Sequence, residues 1–402
     1  MLVVVLVFSF VTGQLLRRLR RRFVLPAAGI YVLVGIAVGP LGLDIVDERV
    51  ITSLQPVLSL LLGLTGFGMG LLLRRQLADA RGLEVGLAAG AVVVAAVGGA
   101  TWAALYGLRG GFVTAGTDPW APLWPAVAVG AVAAVCDAQL LRSLADRAGA
   151  RGPVRELTVT LAVSSSIVAV AALGLSLALA RARLSAVSLS LTPTEWLLAA
   201  LASGVACGVL FVLFVGRWAN DQRAFLATVA IITFASGIAA AIGISPLLAG
   251  MIAGLTASVL SAHADAVGDA LERLEAPALI GIMILAGAMW RPPSPVGWLL
   301  VVVYLGIRPL ALRSAAFVLP RLVAGLPRAH RLGSALLPQG ALGAAIAANF
   351  AQVFPEHGPL VLTVGLVGLL VSDAVGYATV RRVLADAGEI VHRAAEPPQE
   401  AQ

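Results

Sequence analysis

Apolar stretches separated by short polar segments repeat along almost the whole sequence. A helix needs about 20 mostly apolar residues to cross the hydrocarbon core of a bilayer. The stretches are rich in Leu, Ala, Val and Gly and lack strand-like alternation, which favours helices over a lipid-exposed barrel. We place thirteen predicted spans at 2–16, 24–43, 51–73, 84–108, 121–141, 155–180, 194–216, 224–243, 246–262, 277–290, 295–319, 332–353 and 359–380. The pattern predicts an all-α integral membrane protein with about thirteen transmembrane helices.

The composition agrees with lipid as the main solvent of the chain. Of the 402 residues, 59% are hydrophobic and 12% are charged, and the mean hydropathy is +0.96. A water-soluble chain carries about 25% charged residues. We therefore predict one transmembrane domain over residues 1–384. Residues 385–402 are expected to form a short cytoplasmic tail, because they are too few to bury a core of their own.

The 28 basic residues, all arginine, predict the orientation in the membrane. Twenty-one of them lie in odd-numbered loops or the C-terminal tail, and five lie in even-numbered loops. Because arginine-rich loops stay in the cytoplasm, the N-terminus is expected outside and the C-terminus in the cytoplasm of a multi-pass protein of the cell (inner) membrane. The net charge of +7 thus reflects topology. We expect the lipid bilayer as a partner and no nucleic acid.

Four segments carry Gly- and Pro-interrupted patterns in a fixed order. The first ends in Gly-x-x-x-Gly-Pro at Gly35, Gly39 and Pro40, and the second places Gly-x-Ser-Pro-Leu-Leu before a Gly-x-x-x-Gly helix. The segments are LPAAGIYVLVGIAVGPLGLDIV (25–46), ASGIAAAIGISPLLAGMIAGL (235–255), GIRPLALR (306–313) and LLPQGALGAAIA (336–347). As an ordered set covering essentially the whole chain, they resemble the monovalent cation–proton antiporter superfamily, with its sodium/hydrogen exchanger-like transmembrane domain.

The resemblance implies a homodimer in which each chain has a scaffold domain and a mobile six-helix core. Spans 4, 5, 6, 11, 12 and 13 are expected to form the core, and spans 5 and 12 to be broken helices that cross. Gly-punctuated runs within 17–42 and 236–254 fit the inverted repeats of such transporters. The family exchanges protons for Na⁺ or K⁺ by an elevator-type movement of the core.

The sixth span departs from the family pattern. Family antiporters carry an acidic pair or Asn-Asp in the middle of this span, where Ser165 and Ser166 stand here. Hydroxyl oxygens can coordinate a cation, but they do not exchange a proton near pH 7. The two serines are therefore ion-binding candidates without the usual proton chemistry. The alternative is that they only hydrogen-bond to the preceding turn or to a neighbouring helix.

Asp137 is the best remaining carboxylate for binding a cation or a proton. It follows Cys136 where the family often has a Thr-Asp-Pro break in the first crossing helix. An ionisable group at membrane depth is costly and is a functional candidate by default. Asp137 also precedes Arg142 by only about 7–8 Å of helix rise. A structural role facing cytoplasmic water is therefore the alternative.

Arg308 is expected to compensate charge in span 11. Unpaired at membrane depth it would be very costly, so it needs an acid, a set of carbonyls or an anion. In the family a basic residue here pairs with an acid near the ion site, and the candidates in this chain are Asp137 and Asp373. A structural Arg308–Asp373 pair that locks the core is the alternative.

Gln339 and Gly340 mark the expected break of the second crossing helix. The ends of half-helices present free carbonyls to cations or free N–H groups to anions. Gln339 is a candidate for orienting a ligand there. Close helix packing alone is the alternative explanation of Gly340.

The other polar residues suggest no catalytic chemistry. The acidic segment 263–275 is expected to be a solvated linker, with pH sensing as the alternative, and the four histidines fall in loops or the tail. Nothing resembles a catalytic triad, a phosphate loop or a zinc site, so we expect neither an enzyme, nor a cofactor, nor a metal other than a transported cation.

Three functions remain open from the sequence. The first is antiport of Na⁺ or K⁺ against protons with Asp137 replacing the missing acidic pair. The second is transport of an anion or neutral solute by the same fold, with Arg308 attracting negative charge. The third is a membrane sensor or partner subunit that does not transport.

Overall fold

The structure of the chain is a computed structural model, which describes residues 27–76, 80–107, 122–184, 192–215, 221–261, 264–318 and 332–390. The predicted span at 2–16 lies outside these residues. The helices, in chain order, are α1 (Ala27–Val38), α2 (Glu48–Gln76), α3 (Ala80–Gly107), α4 (Leu123–Ala134), α5 (Ala138–Arg147), α6 (Pro153–Leu184), α7 (Pro193–Val215), α8 (Asp221–Ile242), α9 (Pro246–Leu260), α10 (Ala264–Met289), α11 (Pro295–Val318), α12 (Leu332–Ala335), α13 (Gly340–Val353) and α14 (Gly358–Asp386).

The predicted fold class, an all-α multi-pass membrane protein, is confirmed. In the described residues, eight spans are long and apolar enough to cross a membrane, accompanied by the shorter apolar helices Ala28–Val38, Pro246–Leu260 and Gly340–Val353. Each predicted span after the first coincides with one helix or with a broken pair. The expected linker at 263–275 is wrong, because its part from residue 264 onward is the first half of α10. Its Ala, Leu and Glu residues are strong helix formers.

Two spans are broken, as the resemblance predicts for spans 5 and 12. Residues 135–137 separate α4 from α5, and residues 336–339 separate α12 from α13. At the second break, Pro338 removes a backbone donor, and Gly340 has a φ of +61°, which favours glycine. The first break contains neither Pro nor Gly. It ends where Asp137 caps the start of α5 with its side chain.

The helices divide into two groups by their packing. The core contains α3–α6 and α11–α14, which correspond to the spans assigned to the core by the resemblance. The scaffold contains α1, α2 and α7–α10. The two groups meet where α13 packs against α10 and α2, and where α6 packs against α7. The two broken pairs therefore lie in the core, beside its boundary with the scaffold.

Glycines bring α2 and α9 of the scaffold into backbone contact. A Cβ atom at Gly66 or Gly70 would overlap the backbone of α9, and one at Gly250 or Gly254 would overlap the backbone of α2. Small residues at a four-residue spacing allow this close approach between membrane helices. The Gly-x-x-x-Gly pattern in the segment 235–255 is thus explained by helix packing.

The chain after α14 packs against the loop before α6. The Glu389 side chain is 8% exposed and accepts hydrogen bonds from the backbone N–H of Val154 (2.6 Å) and Arg155 (3.0 Å). Ile390 forms an isolated β-bridge with Ala150. Helix α14 also runs past the predicted domain boundary at residue 384. The first part of the expected tail is therefore packed on the core, while 391–402 lies outside the described residues.

Replacing Glu389 with alanine is expected to destabilise the folded core by about 1–3 kcal/mol, since a buried and a partly buried N–H group at the start of α6 lose their acceptor. The measurement is the unfolding midpoint of the purified protein in detergent. Asp146→Ala is the matched control, because Asp146 pairs with Arg155 in the same region at 2.7 Å but its side chain is 63% exposed. That control should change stability by less than about 1 kcal/mol. Equal effects of the two substitutions would contradict the prediction.

Candidate functional site

The two breaks lie side by side in the core. The backbone N–H of Asp137, in the first break, donates to the carbonyl of Pro338, in the second, at 3.3 Å. A Cβ atom at Gly340 would overlap the Asp137 carboxylate, so that carboxylate packs directly against the Gly340 backbone. The ends of four half-helices therefore meet around Asp137, Pro338 and Gly340.

Side-chain donors occupy four consecutive carbonyls at the first break. The bonds run from Arg308 Nε to Ala133 O (2.9 Å), from Ser165 Oγ to Ala134 O (2.5 Å), from Arg308 Nη2 to Val135 O (2.9 Å) and from Ser166 Oγ to Cys136 O (2.8 Å). The end of a half-helix carries partial negative charge on such carbonyls. Here the protein itself supplies the compensating donors.

Arg308 ties the two breaks together. Its side chain is 1% exposed, and its remaining hydrogen bonds go from Nη1 to Leu337 O (2.9 Å) in the second break and to Ser372 Oγ (2.8 Å) in α14. Four of the five N–H donors of the guanidinium are therefore used. Each of these hydrogen bonds ends on an uncharged oxygen. The expected ion pair with Asp137 or Asp373 is not formed, because carbonyl dipoles take the place of a carboxylate.

Ser165 and Ser166 act as donors to the first break. Both are 2% exposed, and the hydroxyl of Ser166 also accepts a hydrogen bond from Cys136 N at 3.2 Å. This is the geometry of the alternative in which the serines bond to a neighbouring helix. Ser166 also lines the same cavity as Asp137.

Asp137 combines a fixed position with an open side. Its Oδ1 accepts from the N–H groups of Gln139 (2.9 Å) and Leu140 (3.0 Å), which fixes the carboxylate at the start of α5. The carboxylate also lines a cavity between core and scaffold. The scaffold side of this cavity is formed by α2, through Thr65, and by α10, through Glu275. Asp137 is thus held at the meeting point of the breaks and is reached from the cavity.

Asp373 holds the start of α13 from the other side. Its Oδ1 accepts from the N–H groups of Gln339 and Gly340, each at 3.1 Å. Its Oδ2 is buried without a hydrogen-bond partner among the described residues. The two carboxylates of the site therefore both contact the start of α13: Asp137 packs against the Gly340 backbone, and Asp373 accepts its hydrogen bonds. They lie at the N-terminus of this helix, where free N–H groups favour negative charge.

Gln339 is a fully buried packing residue in this structure. Its Oε1 accepts from the hydroxyl of Tyr304 at 3.0 Å, and its Nε2 donates to the carbonyl of Gly365 at 3.3 Å. A Cβ at Gly343 or Gly368 would overlap it or crowd it. The oxygen and the nitrogen of the amide therefore both bond to protein atoms, and this geometry does not support a ligand-orienting role for Gln339.

Sequence reasoning missed Tyr304 and Ser372 as parts of the site. Tyr304 is 1% exposed and lies four residues before Arg308, on the same face of α11. Ser372 directly precedes Asp373 in α14. Both signals are present in the sequence, as polar side chains next to an intramembrane charge. Neither identifies its partner, because the bonds join residues 35 and 64 positions apart.

Comparisons with known proteins establish the fold. No protein-family model and no curated protein matches this sequence. Among solved structures, the sodium proton antiporter MjNhaP1 from Methanocaldococcus jannaschii, at pH 8, is similar with a TM-score of 0.63 and 14% identity, over 96% of this chain and 98% of that chain. The chain therefore has a cation/proton antiporter-like fold. The resemblance that its sequence motifs indicate is confirmed at the level of the fold.

Proposed function

We propose that this chain is a secondary active transporter that exchanges a monovalent cation, Na⁺ or K⁺, for protons by elevator-type alternating access. The observation that carries the proposal is the position of Asp137, a carboxylate at the meeting point of the two breaks that also lines the cavity. A carboxylate can hold a proton or coordinate a cation, but the same oxygen cannot do both at once. Competition between the two ions at one group is the basis of exchange.

The surroundings of Asp137 support a site for a small cation. Ser166 contributes a hydroxyl oxygen and Thr65 lines the same cavity from the scaffold. Oxygen ligands of this kind suit hard cations. The carbonyls of the first break are already occupied by Arg308 and the two serines. A bound cation would therefore depend on Asp137 for its charge compensation.

The proposal extends to assembly and orientation. The arginine-rich loop between α5 and α6 contains Arg151 and follows Arg147 at the end of α5. We assign this loop to the cytoplasmic side of the cell membrane and the N-terminus to the outer side. A homodimer joined through the scaffold would leave the core free to move. The cavity beside Asp137 would then open toward the cytoplasm, because α5 carries Asp137 at its start and the arginine-rich loop at its end.

The alternatives are supported less well. Transport of an anion would use Arg308, but four of its five donors are already bonded to uncharged oxygens. A non-transporting sensor or partner subunit is favoured by one observation, the replacement of the acidic pair by Ser165 and Ser166. The experiment below separates this reading from antiport.

The test is transport by purified protein in liposomes. A gradient of Na⁺, K⁺ or Li⁺ is imposed, and the internal pH is followed with a trapped dye. Antiport predicts proton movement that depends on one or more of these cations and is absent from liposomes without protein. Oriented, correctly folded protein that moves no protons with any of the three cations would overturn the proposal and leave the sensor reading.

Replacing Gly340 with alanine is expected to reduce transport by about a hundredfold, because displacing a reacting group by about 1 Å has effects of that size. The new Cβ would occupy the space of the Asp137 carboxylate, and φ at this position is +61°. Initial transport rates in liposomes provide the measurement. Gly306→Ala, in α11 of the same core, is the matched control, since a Cβ there meets nothing within 4 Å. Equal rates for the two variants would refute the prediction.

A further inference from the structure

Hydrogen bonds between core and scaffold concentrate at one end of their interface. In the described residues, three hydrogen bonds between side chains cross the boundary at the end far from the arginine-rich loop, and Gln352 Nε2 also donates to the carbonyl of Gln55 in α2 at 3.2 Å. The three bonds between side chains are Asn349 Nδ2 to Ser245 Oγ (2.6 Å), Gln352 Nε2 to Ser59 Oγ (2.6 Å) and Trp290 Nε1 to Thr363 Oγ1 (2.9 Å). We call these six residues the polar seam. Asn349, Gln352 and Thr363 belong to the core, and their partners belong to the scaffold.

The other end of the same interface is open. There the cavity lies between core and scaffold, and Gln139 contacts Glu275 at its edge. Along α2, the residues that face the core change from Ser59 in the seam to Thr65 and Leu72 at the cavity. The rise from Ser59 to Leu72 is about 20 Å. Helix α2 thus lines both the closed end of the interface, at the seam, and the open end, at the cavity.

The seam residues of α13 lie farther along this helix than the residues beside the proposed ion site. Leu342 lines the cavity beside Asp137, and Asn349 follows two helical turns later on the same face. Gly340 and Asn349 are separated by about 13 Å of helix rise. A path from Asp137 to the far side of the membrane, running along this face of α13, would be blocked by the seam.

Two amide oxygens of the seam are buried without partners. Asn349 is 0% exposed, and its Oδ1 has no hydrogen-bond partner among the described residues. The Oε1 of Gln352 is likewise buried without a hydrogen-bond partner among the described residues. A buried acceptor that lacks a donor destabilises the state in which it is buried. In an open seam, water would donate hydrogen bonds to both oxygens. The closed state therefore has the three hydrogen bonds between side chains, but it leaves these two acceptors without hydration.

We propose that the polar seam is the gate on the far side of the membrane, which closes the path to Asp137 while the cavity is open to the cytoplasm. The orientation and the transport cycle in this statement rest on the proposed function. The gate opens and closes through a change in core–scaffold contacts. The seam is closed while the cavity is open, and the seam is open while the cavity is closed. The three bonds hold the core against the scaffold, and the two unpartnered oxygens keep the seam able to open.

The first test does not require transport. Asn349→Cys is placed in sealed liposomes of known orientation, and a membrane-impermeant charged methanethiosulfonate is added on the outer face. Modified peptides are identified by mass spectrometry. The gate predicts labelling of Cys at position 349 from this face, because the seam opens. Ser258→Cys, at a scaffold position 1% exposed in the structure, is the matched control and should stay unlabelled. If both positions stay unlabelled, the gate is overturned.

The second test uses transport. In the double variant Ser245→Cys/Asn349→Cys, a bifunctional thiol reagent is used to link the two sides of the seam, and each single variant is treated in parallel. Cation-dependent proton flux should stop on cross-linking only in the double variant and return after reduction. Flux that continues in protein shown to be cross-linked would overturn the gate. Labelling at position 349 without flux in any protein would support the gate and contradict the proposed function. If the double variant does not fold, Ser59→Cys/Gln352→Cys tests the same prediction.

Discussion

Asp137→Asn is expected to reduce cation-dependent proton flux to the level of liposomes without protein. An amide cannot bind a proton at accessible pH and offers a cation no compensating charge. The substitution should leave the fold intact, because asparagine caps a helix as well as aspartate does, and its Oδ1 can still accept from Gln139 and Leu140. Initial rates of internal pH change provide the measurement.

Asp146→Asn is the matched control for this substitution. Asp146 is in the same helix, α5, but its side chain is 63% exposed and pairs with Arg155 at the surface. Its flux should equal that of the unmodified protein. Flux retained in Asp137→Asn would show that another group carries the proton, and Asp373 would be the next residue to replace.

Arg308→Gln is expected to be the most destabilising single substitution in the core. Three backbone carbonyls and Ser372 lose their donor at once, at a cost of roughly 1–3 kcal/mol for each buried group left unsatisfied. Both breaks lose the side chain that joins them. The unfolding midpoint in detergent should therefore fall sharply, and the yield of folded protein with it.

Arg313→Gln is the matched control, since Arg313 lies on the same helix, α11, but is exposed. It should unfold near the midpoint of the unmodified protein. Arg308→Lys separates charge from geometry, because lysine keeps the charge but cannot present a planar fork of donors to several carbonyls. It should be less stable than the unmodified protein and more stable than Arg308→Gln. Equal midpoints for Arg308→Gln and Arg313→Gln would contradict this account of Arg308.

The sequence predicts the fold well because membrane spans are read from local hydropathy. Lipid imposes the same requirement on each apolar stretch, so each can be recognised without its neighbours. The second break is also a local signal, carried by Pro338 and Gly340. The linker prediction at 263–275 fails because acidic residues occur in helices as well as in solvated loops, and the Ala, Leu and Glu residues of that segment favour a helix.

The site is predicted only in part, because its contacts are not local. Asp137, Arg308 and Asp373 are identified as ionisable groups at membrane depth. Their partners are not, since Ser165 bonds to a carbonyl 31 residues away and Arg308 to one 175 residues away. Hydropathy gives no indication that carbonyls can replace a carboxylate around Arg308. The buried Glu389 is missed for the same reason, as it caps a helix 235 residues earlier.

The central claim is that one carboxylate, Asp137, binds the cation and the proton in turn. It is tested most directly by proton release on cation binding. Purified protein in weakly buffered detergent is mixed with Na⁺, K⁺ or Li⁺ over a series of pH values, while calorimetry measures binding and a pH dye measures protons. We predict release of about one proton for each cation bound where Asp137 is protonated, and none in Asp137→Asn. Cation binding without proton release at every pH would contradict the claim.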